Sequence, residues 1–380
     1  MKHPTVFLSL LLCCALLSGC WNYRGLDEID IVTGIAVDRV EEGGSYRLTI
    51  EIVDTQDSET EGGVNAKYVE IEGETLFDAI RNSKRRLINK LYGGNMQALI
   101  ISRQIAEEEG VSFILEELLR DGEPRETMSV VISQEATARE ILLTDGIDSK
   151  IISYEIHDMI REDSKVTAST ISTPLYQAYN AIQRAGGALA LPAVHCTQNQ
   201  EKTVAEGNGI ALFQGDRLQG FLSVRQAKSY LFLIDKLEGG VLSFPVRSEG
   251  REDTVSMEIQ SSKTKTNVEV QSGQLSVDVS VRLKLNLTEV KSLLSLSDTG
   301  QRESLERLIE DFVQASITEF FAEIQTRYKT DVLGLGRLLY QKDPDRWRSL
   351  ESQWDELFQK ARLSVRVKAD ILTAGVLKNY

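Results

Sequence analysis

Residues 302–328 read RESLERLIEDFVQASITEFFAEIQTRY, and the spacing of their apolar members sets the fold class. Leu305, Leu308, Ile309, Phe312, Ile317, Phe320, Phe321 and Ile324 recur at helical spacing, so Arg302–Tyr328 is a long amphipathic helix with one apolar stripe. The stripe is wide and rich in Phe, unlike the narrow heptad seam of a coiled coil, and a stripe of that kind buries itself on a sheet. The sheet is supplied just upstream, where Thr254–Leu287 alternates for about three strands with a turn at Ser272-Gly273. A shorter helix Val332–Tyr340, a Pro344-led helix carrying Trp347, Trp354 and Phe358, and a final strand Leu363–Leu372 complete this α+β unit.

The first half of the chain has a different rhythm. Ile29–Val40 alternates, turns at Glu42-Gly43-Gly44-Ser45, and alternates again through Leu48, Ile50 and Ile52, which makes a hairpin. Asp54–Asn65 is a polar loop whose Asp54, Asp57, Glu59 and Glu61 lack the order of an EF-hand. A short strand Tyr68–Ile71 follows, then a helix opened by Thr75 and Asp78, with Leu76, Phe77, Ile80, Leu87, Ile88 and Leu91 on its buried side and Gly93-Gly94 as its stop. Strand Met96–Ser102, helix Val111–Arg120, strand Thr127–Ser133 and helix Ala136–Leu143 give a mixed sheet packed with helices. Helices Lys150–Arg161 and Thr173–Ala185 come next, and Ala188–Val194 reads as a strand whose Pro192 places it at a sheet edge. The polar run Gln198–Glu206 reads as a linker, followed by a second hairpin, Ile210–Phe213 with Leu218–Leu222, a helix Val224–Leu237 and a strand Val241–Val246.

The expected organisation is multidomain α+β, with mostly antiparallel or mixed sheets: a signal at 1–19, an N-terminal mixed α/β domain at 20–197, a small middle domain at 204–262 and a C-terminal α+β domain at 263–380. A chain of 380 residues exceeds one typical core, and 42% hydrophobic content is that of a folded protein. Its 57 acidic against 43 basic residues give a net charge of −14, which argues against nucleic acid as a partner, since phosphate binding needs a concentrated basic surface. In sequence only Lys84-Arg85-Arg86 forms a basic run, and it reads as a solvated helix face.

Leu17-Ser18-Gly19-Cys20-Trp21 gives the chain its location. Lys2 and His3 precede the apolar run Val6–Leu17, which is too short to span a bilayer, and an aliphatic residue, two small residues and Cys end it in the manner of a lipoprotein signal. Cys20 is therefore the expected lipidation site, carrying an S-diacylglycerol and an N-acyl group, and two or more chains hold a protein on a membrane where one does not. Cys13 and Cys14 leave with the signal, so Cys196 remains alone and no internal disulfide is expected. It reads as a small hydrophobe beside a strand.

No constellation for catalysis or metal binding emerges. With His3 removed, His157 and His195 are the whole supply of imidazole, and HExxH, CxxC and a Walker loop are absent. Ser262-Lys263-Thr264-Lys265 spells S-x-x-K, but it lies in an alternating run where residues three apart point to opposite faces of a strand. No catalytic, cofactor or metal residue is assigned, and no enzyme activity is expected.

Taken in order, several stretches together resemble the Ger(x)C family of spore germination lipoproteins. They are Gly19-Cys20-Trp21, Ile31–Asp38, Leu191-Pro192-Ala193, Gly209–Phe213 with Gly220, Ser262–Lys265, and Asp331–Gly336 with Tyr340, Pro344, Trp347, Trp354 and Phe358. The run Trp21-Asn22-Tyr23-Arg24 departs from the acidic residue that the family more often carries after Trp. That resemblance implies three mixed α/β domains and a non-enzymatic subunit of a nutrient germinant receptor. It also implies a lipid anchor on the outer face of the inner spore membrane, and A-type and B-type membrane subunits as partners. The alternative is a solute-binding lipoprotein delivering a small nutrient to a transporter, which usually shows two parallel-sheet lobes; here the second half is largely antiparallel. A cell-envelope hydrolase is disfavoured by the poverty of His and of nucleophile motifs.

Overall fold

The computed structural model describes residues 25, 28–40, 44–54, 64–248, 251–290 and 299–373. Two sheets organise them. The first has nine strands: β1 (Ile29–Arg39), β2 (Tyr46–Asp54), β3 (Asn65–Gly73), β4 (Lys90–Tyr92), β5 (Ala98–Ile101), β6 (Ser129–Ser133), β7 (Ala190–Asn199), β8 (Lys202–Gln214) and β9 (Arg217–Leu222). Their order is β3-β2-β1-β5-β6-β7-β8-β9, with β4 beside the start of β1. The centre, β1-β5-β6-β7, is parallel, and antiparallel hairpins extend it on both sides.

Continuous apolar runs occupy the centre because helices cover both faces: every residue of β5 and β6 is buried. On one face lie α1 (Leu76–Asn82), α2 (Arg103–Glu108), α3 (Ser112–Asp121) and α6 (Leu175–Gln183), packed over Ile35, Leu99, Val130 and Phe213. On the other lie α4 (Ala138–Leu142) and α5 (Ile152–Val166), over Ala36, Ile100 and Val131.

Four expectations fail here, each for a local reason. The helix read through Leu91 ends at Asn82; Leu91 belongs to β4, whose parallel pairing with β1 prevails over helical spacing, and Ile88 is 96% and Phe77 51% exposed. The expected linker Gln198–Glu206 is a hairpin tip: β7 and β8 pair down to Asn199 and Lys202, and Gln200 makes the turn at φ 58°. Its polarity reflects exposed strand faces. Pro192 does not mark an edge strand, because β7 lies between β6 and β8. The β6–β7 ladder starts only at Ala193 and a bulge separates Pro192 from Val194 in the β8 ladder, so the missing N–H of proline falls where pairing is irregular. The hairpin assigned to a middle domain is the far edge of the first sheet. The expected polar loop Asp54–Asn65 lies for the most part outside the described residues.

The second sheet has four strands in the order β10 (Val241–Ser248), β11 (Arg251–Gln271), β12 (Gln274–Val290) and β13 (Arg362–Thr373). Ser272 and Gly273 both take positive φ, 50° and 77°, as a two-residue hairpin turn between long strands requires. The inner face, with Val277, Val279, Val281, Leu283 and Leu285 of β12, is covered by α8 (Thr299–Arg327) through Leu305, Ile309, Val313, Ile317, Phe320, Phe321 and Ile324. The long helix is therefore an internal element, as its stripe indicates; Leu308 alone among the expected stripe residues is well exposed, at 44%. The same core takes in α7 (Val224–Leu233), α9 (Leu335–Lys342), α10 (Pro344–Leu350) and α11 (Trp354–Gln359), and reaches Ala190, Ile210, Leu212 and Leu222 of the first sheet. Helix α7 and strand β10 thus belong with the second sheet, while the hairpin before them belongs with the first.

Candidate functional site

The side chains that carry reactive chemistry are kept apart. His157, on α5, meets the Ser129 Oγ through Nδ1 at 2.9 Å, and burial holds its imidazole below the usual range. His195, on β7, sits across the hairpin from Glu206, with Nε2 3.2 Å from a carboxylate oxygen. Cys196 is half-buried beside the α4 core, its thiol pushed up to about 11 by burial and then by the nearby Glu135 and Glu140 carboxylates. A thiol so placed is a poor nucleophile at neutral pH. Ser262 and Lys265 lie on β11 opposite Leu283 and Ser280, hence on opposite faces of the sheet, as the alternation requires. None of these residues hydrogen-bonds to another, so no nucleophile and base are brought together.

Three carboxylates, Glu51, Asp38 and Asp331, hold backbone. Glu51, 0% exposed, accepts hydrogen bonds from the Thr33 hydroxyl at 2.7 Å, the Tyr68 hydroxyl at 3.2 Å and the Ile152 and Ser153 N–H groups at 2.6 and 3.1 Å. It thereby caps the N-terminus of α5 from the middle of β2, and burial raises its carboxyl above the usual range. Gly34 makes this approach possible: a Cβ there would lie 2.5 Å from the Ser153 Cβ. Asp38 does the same for α4, accepting from the Ala138 and Arg139 N–H groups at 2.6 and 3.0 Å. Asp331 accepts from Leu333, Gly336 and the Trp354 indole at 3.1, 2.7 and 2.9 Å, and Gly336 leaves room for the Trp347 ring that stacks edge-on to Trp354.

Asp38 and Asp331 fall in stretches that the sequence singles out, and their work is now visible: each ties a loop or helix start to a neighbouring element. Glu51 was not singled out, because an acidic residue alternating with Ile50 and Ile52 reads as solvent-facing until α5 is known to cover that face.

Among the described residues, clefts large enough for a ligand or a partner side chain include three between packed elements. A groove of about 900 Å³ runs between α7, β10 and α8, past Lys228, Phe232, Phe312 and Glu319. A second, about 680 Å³, lies between the two sheets and is lined by Tyr176, Arg184, Tyr230, Lys236, Thr266 and Arg337. The third, about 220 Å³, sits beneath α1 over Val32, Ile50, Met96 and Leu118. Among the described residues no group of three or more His, Cys, Asp or Glu is placed to hold a metal ion, and no helix is long and apolar enough to cross a membrane. Cys20, the expected lipidation site, lies outside the described residues.

Comparison with known proteins agrees with the motif order. Residues 22–196 match the spore germination protein N-terminal domain, and residues 208–375 match the family described as spore germination B3/GerAC like, C-terminal. Spore germination protein KC of Bacillus subtilis (strain 168) is 22% identical over 97% of this chain and 95% of its own length. Spore germination protein A3 of the same organism is 23% identical over 97% of each chain. The fold is that of the GerBC protein crystal structure, with a TM-score of 0.59, 20% identity and coverage of 89% of this chain and 97% of that one. With both family domains present in tandem over nearly the whole sequence, the chain belongs to the GerAC-like, or Ger(x)C, family of spore germination proteins.

Proposed function

We propose that the chain is the lipid-anchored, non-enzymatic subunit of a nutrient germinant receptor. In this reading it is held through Cys20 on the outer face of the inner spore membrane and acts beside A-type and B-type membrane subunits. The observation that carries the reading is the pairing of two germination-family domains with a lipoprotein-type Cys20 just ahead of the first. A non-enzymatic role is supported by the separation of His157, His195, Cys196 and Ser262 on different elements, and by buried carboxylates whose hydrogen bonds go to the protein's own backbone. The decisive experiment is metabolic labelling with a fatty acid in a sporulating host. The parent chain incorporates label and fractionates with membrane; Cys20→Ala loses the label, firm membrane association and the nutrient response. Label retained by Cys20→Ala overturns the anchor.

The cleft of about 680 Å³ between the sheets favours one second reading, delivery of a small solute to a transporter. Isothermal titration of the processed chain with amino acids and sugars decides it: saturable binding that Arg184→Ala or Arg337→Ala abolishes supports delivery, and flat titrations remove it.

A further inference from the structure

Among the described residues the outer face of the second sheet carries no helix, and its side chains stay exposed while their neighbours point into the core. In a chain of net charge −14, the middle of this face is basic. Lys263 of β11 stands directly opposite Arg282 of β12, which stands directly opposite Lys368 of β13. In the next row Lys265 and Arg366 flank Ser280, and in the row on the other side Lys284 stands beside Asp370. With strands about 4.8 Å apart and side chains of one face about 7 Å apart along a strand, six cations share an area of roughly 10 by 14 Å. The acids facing them from the adjoining rows are Asp278 at one end and Glu258, opposite Asn286, at the other.

Like charges placed directly opposite each other destabilise a sheet. At the rims the protein compensates: Lys263 pairs with Asp235 at the end of α7, and Lys368 with Glu310 of α8 at 3.2 Å. At the centre it does not, for Lys265, Arg282, Lys284 and Arg366 have no hydrogen-bond or ion-pair partner among the described residues. The same acids close the sheet edges. Asp235 accepts the Thr264 N–H at 2.6 Å, while Glu310 and Glu306 accept the Ala369 and Ile371 N–H groups at 3.1 and 3.0 Å, so an incoming peptide finds these edge positions already occupied.

We propose that this face docks on the headgroups of an anionic lipid leaflet. The unpaired cations lie on an open sheet face, which suits a plane of phosphates better than an acidic peptide, and the Thr264, Ala369 and Ile371 N–H donors at its edges are already taken. The proposal rests on the lipid-anchor reading only for what brings the chain within reach of such a surface. Net negative charge does not oppose it: at physiological salt, charges more than about 8 Å away are screened, so the patch governs contact and the rest of the chain is held facing away.

The test is vesicle co-sedimentation of the processed chain starting at residue 20 and carrying Cys20→Ser, so that no acyl chain contributes. The parent binds vesicles of phosphatidylcholine with 30% phosphatidylglycerol, fails to bind phosphatidylcholine alone, and is released by salt. Because each basic side chain at such a surface contributes about fivefold, Arg282→Gln with Arg366→Gln lowers partitioning roughly 25-fold. Lys265→Gln with Lys284→Gln does the same and serves if the first pair melts early. Arg120→Gln with Arg103→Gln, on helices α3 and α2 that pack on the first sheet, leaves binding unchanged. Parent chain that ignores the anionic vesicles, or binding that survives both patch variants, overturns the proposal. So does tight binding to a polyglutamate peptide without binding to vesicles, which would assign the face to an acidic protein. Label retained by Cys20→Ala in the anchor experiment would leave this result standing, and the two readings therefore fail separately.

Discussion

Phe320→Ala tests whether α8 braces the second sheet. Phe320 is 3% exposed and its ring meets Tyr230 of α7 edge-on, with centroids 6.5 Å apart. Removing the ring forfeits about 2 to 3 kcal/mol of apolar burial and about 1 kcal/mol of aromatic contact, with a further contribution from the cavity left behind. The expected loss is about 3 to 5 kcal/mol, and at about 2 to 4 °C per kcal/mol for a unit of this size the melting midpoint falls by about 6 to 20 °C. Leu308→Ala is the internal control: on the same helix but 44% exposed, it should cost less than about 1 kcal/mol. Circular-dichroism melts of the processed chain, with no partner present, read both. If Phe320→Ala melts with the parent, α8 is not a brace and its stripe is free to meet another protein; if Leu308→Ala costs as much as Phe320→Ala, the assignment of the buried face is wrong.

Two further outcomes follow from the first sheet. Gly34→Ala puts a methyl group 2.5 Å from the Ser153 Cβ and 3.1 Å from the Ala98 carbonyl oxygen, so it should push α5 off the sheet at a cost of about 1 to 3 kcal/mol; denaturant melts check this, and an unchanged midpoint would refute the close approach. With its thiol raised to about 11, Cys196 stays protonated across the neutral range, and the thiolate grows tenfold per pH unit until the pH nears that value. At pH 8 iodoacetamide should therefore modify folded protein about a hundredfold more slowly than unfolded chain, measured by mass spectrometry, and equal rates would count against the buried, acid-flanked placement.

Elements whose signals are local are legible in the residues alone. Period-two alternation gave the β1–β2 hairpin and the long strands of the second sheet, and three-and-four spacing gave α8, because backbone geometry ties those periods to strand and helix wherever one face is buried. The tandem motifs gave the family, and the order around Cys20 gave the expected anchor. What depends on pairing between distant segments becomes visible only in the folded chain. Tertiary structure drew Lys90–Tyr92 into a sheet against helical spacing, enclosed Pro192 between two strands, and folded a polar linker into a hairpin. It also turned Glu51 from a solvent-facing residue into the cap of α5. The basic face shows the reason most plainly. Lys263 and Lys265, Arg282 and Lys284, Arg366 and Lys368 are three pairs that lie far apart in an acidic sequence. Strand register sets them in adjacent rows, and register is fixed by burial of the opposite face against α8, which no window of sequence contains.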